Sequence, residues 1–238
     1  MLRYLLMDLD GTLLPVDINF FLERYLYGLA PHFRHLADKA TFIQQLMAST
    51  METINNNDPR LTNEMVFWEN FSQRMGVPRQ ELEPIFNEYY AKEFPGLKRY
   101  LPETDRAVKL LHQAKELEME LIVATNPIFP QSVIMERLRW IGCDQYPYLW
   151  VTAMENMHYC KPNPNYFREI VERLSLPPEE CLMVGNDMEE DLPAKAVGIK
   201  TCIVTDFLID RKTSKYTPDY LGTMDQFIKD LPAIVGKG

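Results

Sequence analysis

No two cysteines stand at a Cys-x-x-Cys spacing. Cys143, Cys160, Cys181 and Cys202 lie far apart, which excludes the usual zinc ribbon and the dithiol redox couple. Free thiols in a reducing cytoplasm are expected. No apolar run approaches the roughly 18 residues that a membrane span needs. The first residues read as a strand with one arginine, not as a basic head, an apolar stretch and a small-residue cleavage site. Export and membrane contact are therefore not expected, and the Asn70-Phe71-Ser72 triplet has no consequence as a glycosylation acceptor. Positive charge is in deficit: a formal net charge of −9 argues against a nucleic-acid partner, though a small anion could still bind where cations concentrate locally. The sequence has no Gly-x-x-x-x-Gly-Lys loop, no Gly-x-Ser-x-Gly elbow, no internal repeat and no low-complexity stretch. His32, His35, His112 and His158 form no metal spacing with nearby acids. What remains is an ordinary soluble composition, 46% hydrophobic and 25% charged over 238 residues, enough for one large core or two modest ones.

Against that background the stretch Leu5-Leu6-Met7-Asp8-Leu9-Asp10-Gly11-Thr12-Leu13-Leu14 is unusual. An apolar run of buried-strand character delivers two acids to a glycine turn. At alternate positions of an extended chain, Asp8 and Asp10 project to the same side. Two carboxylates on one face repel each other unless a cation or a shared proton relieves them. Alone, the stretch is equally a plain strand ending in an Asp-Gly turn.

Further signals follow downstream. Ala124-Thr125-Asn126 comes after the apolar run Leu121-Ile122-Val123. Lys161-Pro162-Asn163-Pro164 precedes a helical pattern. Gly185-Asn186-Asp187-Met188-Glu189-Glu190-Asp191 follows Leu182-Met183-Val184. In this order the four motifs resemble those of the haloacid dehalogenase superfamily of phosphohydrolases. The resemblance covers roughly residues 2 to 14 and 101 to the end, and does not reach the segment between.

That middle segment reads as helix. Asp17 can cap a first helix with Ile18, Leu22, Tyr25 and Leu29 at helical spacing, and residues 40 to 54 repeat the pattern with Ile43, Leu46, Met47 and Met51. A third helix opens near Thr62 or Asn63 and closes at Gly76. A fourth begins near Pro78, where Pro84 would delay or bend it. From Thr104 onward helices and strands alternate, which implies a parallel sheet covered on both faces. One of these helices is expected to run from the acidic loop to about Val197. The fold class predicted is α/β, a Rossmann-like doubly wound parallel sheet core (1–16 and 97–238) with an inserted all-α helical cap domain (17–96). Ligands of such sheets sit at the carboxyl ends of the strands, where each motif falls.

The resemblance implies a division of labour. Asp8 would be the nucleophile, forming an aspartyl-phosphate, and Asp10 the acid and base. Thr125, Asn126 and the backbone beside them would cradle phosphate oxygens, and Lys161 would neutralise the phosphate and the aspartates as a point charge. Mg2+ is the expected cofactor, with Asp8, Asp10 (through its backbone carbonyl), Asp187 and Asp191 as the candidate metal residues; Asp191 supports rather than binds. Asn186 stands where many relatives have an aspartate, so the residue facing the metal is left open between 186 and 187. Thr12 braces the turn. The insertion would act as a lid that excludes water and contacts the leaving group. The reading is a phosphohydrolase of a small phosphorylated metabolite. A sugar phosphomutase and a non-catalytic phosphate-binding relative are the alternatives. Asp10 counts against a dehalogenase, and phosphonate cleavage has only nominal lysines, Lys39 or Lys92. Substrate and oligomeric state are not legible.

Overall fold

The computed structural model describes residues 1–236. Its sheet has six parallel strands in the order β3-β2-β1-β4-β5-β6. These are β1 (Tyr4–Met7), β2 (Glu120–Val123), β3 (Tyr148–Val151), β4 (Cys181–Gly185), β5 (Lys200–Val204) and β6 (Tyr220–Gly222). The order reverses between β1 and β4, so the crevice of this doubly wound sheet opens above those two strands. Period-two alternation divides the buried strand residues between two cores. Leu5, Met7, Leu121, Val123, Leu182 and Val184 face one. Leu6, Ile122, Ala124, Cys181 and Met183 face the other. Helices α5 (Arg106–Glu116) and α8 (Met224–Val235) cover the first face through Leu110, Leu111, Phe227 and Leu231. Helix α7 (Pro164–Arg173) covers the second through Tyr166, Phe167 and Ile170.

Between β1 and β2 the chain forms α1 (Ile18–Leu29), α2 (Lys39–Ile54), α3 (Asn63–Met75) and α4 (Arg79–Lys92). Each of the first three starts on a side-chain cap: Asp17 accepts the N–H of Phe20, Asp38 those of Ala40 and Thr41, and Thr62 that of Met65. Gly76 ends α3 at φ +66, as a left-handed terminator should. Pro84 neither delays nor ends α4, which starts at Arg79 and runs through it. Phe33, Phe42, Phe71 and Phe86 pack this layer, with the rings of Phe33 and Phe42 stacked at 4.3 Å. The start of α3 is fastened to the sheet side: the N–H groups of Asn63 and Glu64 donate to the carbonyls of Met157 and Met154, both at 2.8 Å.

One expected helix is absent. Asp187 bridges to Ile209, residues 188–191 form turns and Leu192–Val197 a 3-10 segment. The Asp187 carboxylate accepts the N–H groups of Glu189 and Glu190, a local side-chain alternative to helical bonding, and Pro193 brings no donor. All four cysteines are free and buried. Among the described residues no helix is long and apolar enough to cross a membrane.

Candidate active site

The Asp8 N–H extends the ladder beyond β1 by donating to the Val184 carbonyl at 2.9 Å. Gly11 then turns the chain at φ +83, and a Cβ there would lie 2.4 Å from Nδ2 of Asn186. Only glycine brings the first loop this close to the acidic loop. The result is a cavity of about 200 Å³ at the strand ends, lined by Asp8, Asp10, Thr125, Asn126, Asp187, Glu190, Asp191 and Arg211, among others. Lys161 lies beneath it, fully buried, on the loop before α7.

Lys161 Nζ donates to Asp8 Oδ1 at 2.8 Å and to Asp191 Oδ1 at 2.7 Å. Burial works against the ammonium, but Asp191 and Asp8 outweigh it and hold the lysine pKa well above its ordinary value. One cation serves two carboxylates, so negative charge is left over. Burial first, then the Asp191 and Asp10 charges, push the Asp8 carboxyl upward against the opposing pull of Lys161. The loop is braced by its own polar atoms: the Lys161 N–H donates to Asn126 Oδ1 at 3.2 Å, and Asn126 Nδ2 donates to Glu190 Oε2 at 3.3 Å. Burial, with Asp187, Asp191 and Asp8 nearby, raises the Glu190 pKa to about 7. Thr125 sits two residues beyond β2, and its carbonyl accepts from the hydroxyls of Thr152 and Tyr166 at 2.8 and 2.9 Å. Thr12 Oγ1 lies 3.2 Å from Asp8 Oδ2 and 3.0 Å from Asn186 Oδ1.

The acidic loop separates its two aspartates. Asp191 turns inward: Oδ1 holds Lys161, and Oδ2 accepts the Asp187 N–H at 3.0 Å. A Cβ on Gly185 would lie 1.9 Å from that Oδ2. Asn186 is engaged with Thr12 and with the Phe207 carbonyl, to which its Nδ2 donates at 2.7 Å. Asp187 faces the cavity, where Arg211 Nη1 donates to its Oδ1 and Oδ2 at 2.9 and 2.8 Å. Burial still raises its pKa despite that partner. Among the described residues, no group of three or more His, Cys, Asp or Glu side chains is placed to hold a metal ion. The four candidate metal residues Asp8, Asp10, Asp187 and Asp191 are thus brought to one region without forming a four-carboxylate cage.

Two cations at the site carried no motif. Arg137, fully buried on α6 (Gln131–Trp140), donates from Nη1 to Asp10 Oδ2 at 2.5 Å and stacks over the Phe129 ring at 4.7 Å. Among the described residues its Nε and Nη2 have no hydrogen-bond partner, nor has Asp10 Oδ1. Helical phase could have found it, because Arg137 falls on the face of Val133, Ile134 and Leu138, all buried. Arg211 lies on the loop after β5 and had no periodic signal.

A crevice at the reversal of a parallel sheet, holding a buried lysine between carboxylates, is where a doubly wound α/β protein binds its ligand. More specifically, residues 2–206 match the model of the haloacid dehalogenase-like hydrolases, and the chain belongs to that family. It is similar to pyrophosphatase PpaX of Anoxybacillus flavithermus, at 27% identity over 98% of this chain and 96% of that protein. Phosphoglycolate phosphatase of Vibrio vulnificus is 28% identical over half of each chain. Among solved structures, a HAD phosphatase from Thermococcus onnurineus superposes with a TM-score of 0.62 at 19% identity, covering 99% of both chains. An L-2-haloacid dehalogenase from Xanthobacter autotrophicus gives 0.58 at 13% identity, covering 98% of this chain and all of that one. One architecture therefore underlies both reaction types.

Proposed function

We propose that this hydrolase is a Mg2+-dependent phosphatase acting on a small phosphomonoester through an aspartyl-phosphate on Asp8. The observation that carries the reading is the Lys161 ammonium bridging Asp8 and Asp191 at the floor of a cavity walled by carboxylates. A phosphate ester resists attack because it is already anionic, so the site must supply cations and placement more than unusual reactivity. Asp8 attacks phosphorus, and the ester P–O bond breaks. Asp10 protonates the departing alkoxide oxygen, which leaves as the alcohol, then takes a proton from the water that hydrolyses the acyl phosphate. Thr125 and Asn126 orient the phosphate oxygens, and Lys161 balances their charge. Arg137 holds Asp10 by one oxygen, which leaves Oδ1 for proton transfer.

The donor set fits magnesium: it is all oxygen, burial and like charges raise the pKa of both Asp8 and Asp187, and Arg211 already puts positive charge on Asp187. Asp8, Asp187 and the Asp10 carbonyl would hold the ion, while Asp191 braces Lys161 and Asn186 braces the turn. Bound there, Mg2+ would neutralise charge that develops on the phosphoryl oxygens. Residues 17–96 serve as a lid over this cavity, since Ile18 and Ile54 form part of its wall. In an assay of phosphate release from a panel of phosphomonoesters with magnesium, Asp8→Asn should abolish turnover. Equal release by both proteins would overturn the assignment.

A further inference from the structure

A second cavity, of about 300 Å³, lies between α1, α2, α3, α4 and the segment from Ile128 to Ser132 that leads into α6. It shares Ile18, Ile54, Ile128 and Phe129 with the catalytic cavity, so the two are neighbouring chambers with a common wall. Its surface is mostly side chains that the helical pattern would assign to a core. Leu22 and Leu26 of α1 and Met47 of α2 are only half-buried, and Met51 keeps 48% of its surface exposed. Trp68 and Phe129 complete an aromatic and aliphatic lining. Packing would normally close such side chains onto each other. Here they surround a volume at the lower end of those that small organic ligands fill.

The charges at its edge are all of one sign. Glu64, Glu83 and Glu155 border the cavity, and among the described residues no lysine, arginine or histidine does. Arg79 pairs Glu64 and Glu83 from outside, and both Glu155 oxygens accept the Gln131 N–H at 3.1 Å. Thr50, Asn87 and Ser132 add neutral donors to the lining, but among the described residues no cation does, so a second phosphate or a carboxylate on the ligand would find no counter-charge and would face three glutamates, two of them paired with Arg79.

We infer that this chamber binds an uncharged, largely apolar organic group about the size of a naphthyl ring. On the phosphatase reading, on which the substrate assignment rests, that group is the leaving alcohol of the phosphomonoester. This sets the chain apart from relatives whose names specify pyrophosphate and phosphoglycolate, since both present a second anion beside the scissile phosphate. The step balances as ester plus water giving alcohol plus phosphate. The departing oxygen leaves with a proton from Asp10 toward the shared wall.

The test compares 1-naphthyl phosphate, acetyl phosphate, phosphoglycolate and pyrophosphate with magnesium, using wild type, Leu22→Lys and Met47→Lys. Both positions are half-buried, so a lysine there can reach solvent, and circular dichroism checks the fold. The naphthyl ester should exceed phosphoglycolate and pyrophosphate at least tenfold in kcat/KM, mainly through KM. Each lysine variant should lose at least tenfold more on the naphthyl ester than on acetyl phosphate. Equal or better turnover of phosphoglycolate and pyrophosphate, which carry a second anionic group, or equal losses on all substrates, would overturn the inference and leave the phosphatase reading intact. If no ester depends on Asp8, the phosphatase reading fails. Binding of 1-naphthol, read from its fluorescence and its sensitivity to Leu22→Lys, then decides the chamber: capture supports it and absence of binding overturns it.

Discussion

The two chambers that meet at Ile18, Ile54, Ile128 and Phe129 are opposites in composition. One concentrates carboxylates and buries a lysine among them; the other is apolar with glutamates at its edge. Electrostatic energies in a desolvated site depend on distances of a few tenths of an ångström, so the first chamber tolerates little change. Apolar contact is additive and non-directional, so the second can be altered stepwise. Rate should therefore reside in one chamber and preference in the other.

The largest effect that would test this division comes from Lys161→Met. It removes the cation between Asp8 and Asp191, and kcat/KM should fall about 10²- to 10³-fold on every substrate alike. Stability should fall as well, by about 3–5 kcal/mol in denaturant titration, because two carboxylates stay buried unpaired. A loss confined to one class of substrate would break the division. If Asp10 is the acid and base, Arg137→Met should cost roughly 10- to 100-fold in kcat with KM little changed, since Arg137 holds Asp10 Oδ2. Arg137→Lys should recover part of that rate, and a change in KM alone would make Arg137 a binding residue instead. Arg211→Ala frees Asp187, so calorimetric titration should show magnesium binding roughly two- to fivefold tighter. Weaker binding would show that Arg211 supports the ion site.

The smallest effect is on stability and depends on pH. Burial raises the Glu190 pKa from 4.5 to about 7, so the folded protein holds this proton more firmly than the unfolded chain does. Its contribution is intact below the ordinary carboxylate range and is lost as pH rises through about 7. In metal-free protein, Glu190→Gln should raise stability by about 1–3 kcal/mol near pH 8 and leave it unchanged near pH 4. A gain of equal size at both values would mean packing, not charge, is responsible.

The charged chamber was largely legible in the sequence because strand ends carry it. Asp8, Thr125 and Asp187 each follow a short apolar run, and parallel strands bring such positions side by side. The loop between Asp187 and Asp191 was misread as helix because its apolar and acidic spacing suits one, while the Asx-type bonds of Asp187 are visible only in three dimensions. Arg137 was within reach, as an arginine on an apolar helical face. Arg211 was not, since a loop has no period to betray it. The apolar chamber was hidden for a different reason. Ile18, Leu22, Met47 and Met51 have the spacing of an ordinary buried stripe, and nothing in that spacing distinguishes side chains that touch each other from side chains that stand apart. In α1 the buried Phe21 and Tyr25 and the half-buried Ile18 and Leu22 line the cavity together, while Leu29 packs away from it.

The last residue of β4 has a role that none of the acids can assume. Position 185 must offer nothing larger than a hydrogen, because the Asp191 carboxylate occupies the space where any side chain would begin. A single methyl there would swing that carboxylate aside, free the lysine it steadies and unhook the backbone amide of 187. The carboxylate-lined end of the molecule is thus assembled around a small gap in the chain's own covalent surface, and its tightest tolerance belongs to a residue with no functional group at all.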